Sequence, residues 1–216
     1  MITNGWRICV TMGIRLTAEQ RKKQIIHKAT TLFARYGFDR MTVKMLASAC
    51  GITEPALYRH FSGKEKLYDE VLKSLESKVK VGDLKEDLAA ENNVEGILYL
   101  VAQHIFSTYL GHSELSRLLL YSSLEKHSMS GRVFDMVRAP YIKVLGDTLA
   151  RLMKKRKIRK VNTVITARCF VGMVMDCTMG QNLWNRMQSR QFKPEVVMKN
   201  NIPIFARGLM IQARKK

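Results

Sequence analysis

The chain has 216 residues, 46% of them hydrophobic and only four of them Pro, which excludes a disordered polypeptide and supplies enough apolar material to bury a core. Its formal net charge of +19 points to a polyanionic partner, most simply nucleic acid; residues 1–80 hold 15 Lys and Arg against 7 Asp and Glu, so the surplus is spread and does not locate the contact. No apolar run, Val171 to Met175 included, approaches the ~20 residues of a bilayer span, so no membrane partner is expected and the expected location is cytoplasmic.

Residues 1–16 read as an N-terminal arm. It lacks the apolar core of about 7–15 residues that a secretory signal carries, and Met12 is an alternative start. Thr17 and Gln20 form a capping box for a first helix running to about Tyr36, where Gly37 ends it. Ile25, Ala29, Leu32, Phe33 and Tyr36 make its core stripe. Arg21, Lys22, Lys23 and Lys28 lie on or near its outer side, where they either reach phosphates or form a solvated helix start.

Thr42 to Lys64 carries the clearest pattern. Val43, Leu46, Ala47 and Cys50 fall at i, i+3, i+4 and i+7, with Thr42 as N-cap and Gly51 as a stop that tolerates positive φ. Thr53 caps a second helix over about Glu54 to Phe61, with Pro55 in its first turn and Leu57 and Phe61 as core anchors. Ser62 and Glu65 are expected to form a further capping box. Two short helices about a Gly turn make a helix-turn-helix, whose second helix can enter a major groove; an ordinary helical hairpin gives the same pattern.

Phe33, Gly37, Phe38 and Thr42, then Leu46, Ala47, Ala49, Gly51 and Ile52, then Leu57-Tyr58-Arg59-His60-Phe61, Lys64 and Leu67 resemble the N-terminal domain of the tetracycline-repressor (TetR) family of transcriptional regulators. The resemblance runs from about Arg21 to Leu72, and Pro55 stands where many members carry Gly. It implies an all-α fold. A helix-turn-helix domain over 17–63 is joined by a connector helix, 64–82, to a helical effector-binding and dimerisation domain over 83–216. It also implies that Glu54, Pro55, Ala56, Tyr58 and His60 face the bases. Tyr58 and Lys64 would hold phosphates, with Thr42, Lys44 and Thr53 as further backbone contacts. Arg59 would reach a phosphate or a guanine. Glu54 either accepts from a cytosine amino group or only stabilises its helix N-terminus.

Beyond the connector, Gly82 to Asn93 is polar and reads as an inter-domain loop, and five helical segments follow. The first holds His104, Phe106 and Tyr109, and the second Tyr121. The third, Gly131 to about Lys155, holds Phe134, Met136 and Tyr141 and should kink at Pro140. The run Lys154 to Lys160 closes it, as a solvated basic loop or a second phosphate patch. The fourth, Asn162 to about Met187, carries Ile165, Cys169, Gly172, Asp176, Gly180 and Leu183 on one face, with Phe170, Met173, Cys177 and Trp184 beside it. The fifth, to about Arg214, has Ile204, Phe205, Gly208 and Ile211, with Pro203 kinking it.

The family resemblance implies a homodimer through these last two helices, reading a palindromic double-stranded DNA operator. It also implies a small hydrophobic or amphipathic effector. Phe106, Tyr109, Tyr121, Phe134, Met136, Tyr141, Phe170, Met173 and Cys177 would line its pocket unless they are plain core, and His104 and Asp176 are the candidate polar groups. Effector binding would move the connector helix and part the two recognition helices.

Among rival readings, an enzyme finds no HExxH, GxSxG or phosphate-cradling Gly loop, and no catalytic residue or cofactor is assigned. Cys9, Cys50, Cys169 and Cys177 lack metal-ligand spacing, so no metal is expected. Cys169 and Cys177, on one helix, would lie about 12 Å apart, too far for a disulfide within a subunit. A constitutive DNA binder and a cysteine redox regulator remain as alternatives.

Overall fold

A computed structural model describes residues 16–77, 79, 81–125, 130–184 and 193–211. The arm to residue 15 with Cys9 and Met12, the Trp184 side chain, Met187 and Arg214 lie outside them. Among the described residues the regular structure is helical throughout.

Three helices and a connector build the N-terminal domain: α1 (Ala18–Arg40), α2 (Val43–Cys50), α3 (Glu54–Tyr58) and α4 (Lys64–Glu76). The Thr17–Gln20 capping box forms as expected. The helix then runs past Tyr36: Gly37, at φ 79 and ψ 175, breaks it, and one further turn reaches Arg40. Phe38 is thereby swung onto Tyr68, ring centroids 5.1 Å apart, with Phe33 meeting the same ring edge-on at 4.8 Å. These rings, with Ile25, Leu46, Leu57, Phe61, Leu67 and Val71, form the buried centre of the domain.

The connector departs from expectation at both ends. Gly63 is its N-cap and no side chain caps it, so the Ser62–Glu65 box does not form. Its last helical residue is Glu76, short of residue 82. The polar stretch after it is a helix, α5 (Val81–Ala90), not a loop. Leu84 and Leu88 are each 1% exposed, and two such burials, about 1.5–3 kcal/mol each, outweigh its weak pattern. Arg151 fixes its end, with Nη2 donating to the carbonyls of Leu88 and Glu91 at 2.7 and 2.9 Å, oxygens that a helix end leaves unpaired.

The remaining helices are α6 (Val94–Leu110), α7 (Ser113–Leu124), α8 (Ser130–Val137), α9 (Ala139–Lys154), α10 (Thr163–Trp184) and α11 (Pro194–Leu209). The segment expected as one kinked helix is two, α8 and α9, parted at Arg138, with Pro140 in the first turn of α9. Pro140 has no N–H to donate back and is best accommodated there. Helix α10 packs against α9, α6 and α7, and α11 lies on α6. The run after Lys154 is a loop, pinned by Ile158 at 2% exposure. The two halves share one continuous apolar core, with α1 packed on both α4 and α7.

Candidate nucleic-acid interface

Local signals set the helix-turn-helix geometry. Thr42 Oγ1 accepts from Met45 N at 3.2 Å and Thr53 Oγ1 from Ala56 N at 3.3 Å, so each short helix has one orphan donor satisfied. Gly51 sits at φ 65 and ψ 36, with Ile52 N donating back to Ala47 O at 3.0 Å; this left-handed residue turns the chain between them. The second helix is shorter than expected, ending at Tyr58, and His60 N and Phe61 N both donate to Leu57 O.

Leu57 and Phe61, 2% and 3% exposed, hold α3 to the core. Its outer side then presents Pro55, Tyr58 and Arg59 to solvent, with Glu54, Ala56 and His60 half-buried beside them. Tyr58 is half exposed, an unusual position for a large aromatic. Thr42, Lys44 and Thr53 are exposed at the starts of the two helices, and each threonine keeps its hydroxyl proton free for donation. All nine therefore lie on one stretch of α2 and α3. Lys64 is engaged inward: its Nζ donates to Asp39 O at 3.2 Å and stands 4.5 Å over the Phe38 ring, leaving two of its three N–H groups. Among the basic residues of α1, Arg21 bonds Gln24 and the Cys50 carbonyl, and Lys22 pairs with Glu70 at 3.2 Å.

The aromatic and Met residues of the C-terminal half fall into three groups. Phe106, Tyr109, Met136, Tyr141 and Phe170 are buried. Tyr141 accepts or donates at its hydroxyl with His104 Nδ1 at 2.9 Å, and burial pushes its phenol up to about 12. Tyr109 donates to Val137 O at 2.8 Å, and burial raises it further still. Tyr109, Ser116, Leu119, Met175, Thr178 and Met179 line a void of only about 10 Å³ beside Val137, room for about one water. Phe134, Met173 and Cys177 are half-buried, and Asp176 is exposed, outside it. Burial and the neighbouring Asp176 charge push the Cys177 thiol up, away from the reactive thiolate. Tyr121 lies elsewhere, against α1, with its hydroxyl donating to Arg35 O at 2.8 Å.

The expected dimer face is open in the single chain. On α10, Ile165 is 59% exposed, Cys169 is exposed, and Gly172, Gly180 and Leu183 are half-buried; on α11, which ends at Leu209, Ile204 is 62% exposed, with Gly208 exposed and Phe205 half-buried against Phe170, and Ile211, just past its end, is 57% exposed. Nothing lies within 4 Å of where a Cβ would stand on Gly180 or Gly208, whereas Gly172 has Arg138 Nη2 at 3.2 Å.

Residues that the sequence reading did not single out tie the two halves together. Glu125 accepts from Phe38 N at 2.9 Å and Asp39 N at 3.3 Å, and Arg117 Nε donates to Ala34 O. With Tyr121 these are four apart along α7 and its end, and they grip the last turns of α1. Arg132 of α8 pairs with Asp69 of α4. The four-residue spacing of Arg117, Tyr121 and Glu125 is visible in the sequence, but its target, 83 to 87 residues away, is not.

The description "Bacterial regulatory proteins, tetR family" matches residues 25–71. The nucleoid occlusion factor SlmA of Mannheimia succiniciproducens is 26% identical over 67% of this chain and 66% of its own length. The HTH-type transcriptional repressor Rv1474c of Mycobacterium tuberculosis is 25% identical over 72% of this chain and 79% of its own. In fold, the transcriptional regulator FadR of Bacillus subtilis, solved with stearoyl-CoA, superposes with a TM-score of 0.67 at 16% identity, over 87% of this chain and 98% of that one.

Proposed function

Through its N-terminal domain the chain belongs to the tetR family of bacterial regulatory proteins and is a DNA-binding transcriptional regulator, and from that premise we propose that it is a cytoplasmic, homodimeric repressor released from a palindromic operator by a hydrophobic or amphipathic effector. The outer side of α3 carries this reading: Leu57 and Phe61 anchor a helix that offers Pro55, Tyr58 and Arg59 to the outside. Glu54, Ala56, Tyr58 and His60 would face base edges. Thr42, Lys44, Thr53 and Lys64 would set the register on phosphates.

The open faces of α10 and α11 support a second copy as partner. Exposed Ile165, Ile204 and Ile211 lie beside glycines that let backbones approach, and a twofold dimer matches two half-sites about one DNA turn apart. No catalytic residue or cofactor is assigned. Among the described residues no helix is long and apolar enough to cross a membrane.

The apolar, Met- and aromatic-rich interior of the C-terminal half, with Phe106, Met136, Phe170 and Met175 buried, supports an effector with an apolar part. An effector that binds the DNA-incompetent arrangement more tightly would withdraw the protein from its operator. The stearoyl-CoA held by FadR of Bacillus subtilis is amphipathic and sits in the same fold.

Selection of duplexes from a random pool tests the reading. A palindromic consensus, with affinity lost on Tyr58→Ala and a shallower salt dependence on Lys44→Ala, is the expected result. Enrichment of no sequence above background would refute it.

A further inference from the structure

The basic run from Lys154 to Lys160 takes no part in the contacts assigned to α2 and α3. Between Asp147 and Asp176 the chain carries no carboxylate and eight Lys and Arg, six of them in this run. All six are exposed, and among the described residues none of them forms an ion pair. A block of like charges repels itself and is commonly a disordered tail, and an external polyanion relieves the repulsion.

Here the block is fixed in place. Ile158, its one apolar residue, is 2% exposed. Lys157 N donates to Leu152 O at 3.0 Å, Arg159 N to Leu209 O at 2.9 Å, and Arg159 Nε to the Gly208 carbonyl, so the loop ties the end of α9 to the end of α11. Arg156 sits at φ 53, the one positive value among the described non-glycine residues. A left-handed residue past a helix end is ordinarily Gly, and the chain keeps a guanidinium there against that preference. Lys154, Arg156, Arg159 and Lys160 border one open groove floored by Met153 and Ile158, so their charges converge on a single surface.

This surface lies far from the helix-turn-helix. Gly111 and His112, at the C-terminal end of α6, border a cleft with Thr30 of α1 and Leu75 of α4. Arg151, near the end of α9, instead meets Leu88 and Glu91, just ahead of the start of α6. The loop that follows α9 therefore stands about 25 Å along the 17-residue α6 from the junction with the DNA-binding domain.

We propose that the loop is a second nucleic-acid site, which holds the phosphates of another duplex segment, without regard to sequence, while α3 holds the first. The run has no aromatic side chain to stack on an unpaired base and no amide to read a base pair, so it offers charge to a duplex backbone. Ile211, at the rim of the groove, and Ile165 lie on the face read as the dimer contact. The loop's own tip then presents cations alone, without the apolar side chains that anchor a segment in a bilayer. A dimer that sets both α3 helices on one duplex turns both loops away from it, and two sets of cations face the second segment together. The proposal rests on the reading of the chain as a DNA-binding protein, and not on its operator or effector.

The test is capture of a second duplex by the full chain. A short biotinylated duplex of arbitrary sequence is fixed on beads, coated with protein and washed; a fluorescent duplex of unrelated sequence is then added. Retention is read per bead-bound protein, and the parent should hold the second duplex with an affinity that falls steeply as salt rises. Lys154→Gln/Lys157→Gln/Lys160→Gln, which removes no described bond, should retain about tenfold less, with a log–log salt slope shallower by about 2–3. Arg156→Gly, which suits the left-handed backbone, should melt no lower than the parent and still retain less, a loss of charge and not of fold. Lys85→Ala/Lys143→Ala/Lys199→Ala removes the same charge from other exposed positions and should retain the second duplex as the parent does.

No second duplex held by the parent, or equal retention by the loop variants, would overturn the proposal. An equal loss in the control variant would do so as well, by assigning the effect to net charge. So would sedimentation of the parent with phosphatidylglycerol vesicles, lost in the loop variants, where no second duplex is held; the loop would then belong to a membrane surface. Because neither duplex contains an operator, failure to select a palindrome leaves this result standing, and the reverse.

Discussion

At the scale of single residues, Gly37 and Asp69 each carry a checkable consequence. Gly37 combines φ 79 with ψ 175, a region that residues with a Cβ rarely enter, and a Cβ there would meet the Glu125 carboxylate and the Tyr121 ring. Gly37→Ala should therefore lower unfolding free energy by about 2–4 kcal/mol, from strain and the displaced Glu125 bonds. Urea unfolding measures it, and a loss within experimental error would show that the turn relaxes. Asp69 is held at about 2, below the ordinary 3.8, by Lys73 and Arg132. Since its folded value is the lower one, its contribution is complete above about pH 4 and fades as pH falls towards 2. Asp69→Asn should be less stable than the parent at pH 7, and the two should converge near pH 2. A gap independent of pH would assign the loss to packing instead.

At the scale of elements, the grip of α7 on α1 joins the C-terminal half to the helix-turn-helix domain. Tyr121, Arg117 and Glu125 hold backbone groups of Ala34, Arg35, Phe38 and Asp39. Glu125→Gln weakens a charge-assisted acceptor, so the Phe38 amide should exchange with deuterium about tenfold faster while Leu57 keeps its rate. Equal rates at Phe38 in parent and variant would remove Glu125 from the coupling.

This element also marks the boundary of what the sequence discloses. Thr42, Gly51, Thr53 and Pro55 act on neighbours within a few positions, so the caps, the turn and the start of the second helix are legible from spacing alone. Ser62 and Glu65 have the spacing of a capping box, yet Gly63 becomes the cap. Helix α5 was hidden because Leu84 and Leu88 are its only buried residues, and it owes its place to α6, α9 and the Arg151 contacts.

At the scale of the whole molecule, the +19 charge and the open α10 and α11 faces bear on one question, whether two copies act together on DNA. Ile165→Glu combined with Ile204→Glu places charge on both faces without touching the described core. It should yield monomers in sedimentation with unchanged helix content, whereas an unaltered dimer would move the interface elsewhere. Charge alone would give binding that is steeply salt-dependent and indifferent to sequence. Titration of the selected palindrome, its half-site and a scrambled duplex at one physiological salt concentration, with stoichiometry read by sedimentation, tests the dimeric reading most directly. Two protomers should occupy the palindrome, bound about a thousandfold or more tighter than the scrambled duplex, with the half-site much weaker. Equal affinity for all three, or a single protomer saturating the palindrome, would contradict a dimer that reads two half-sites.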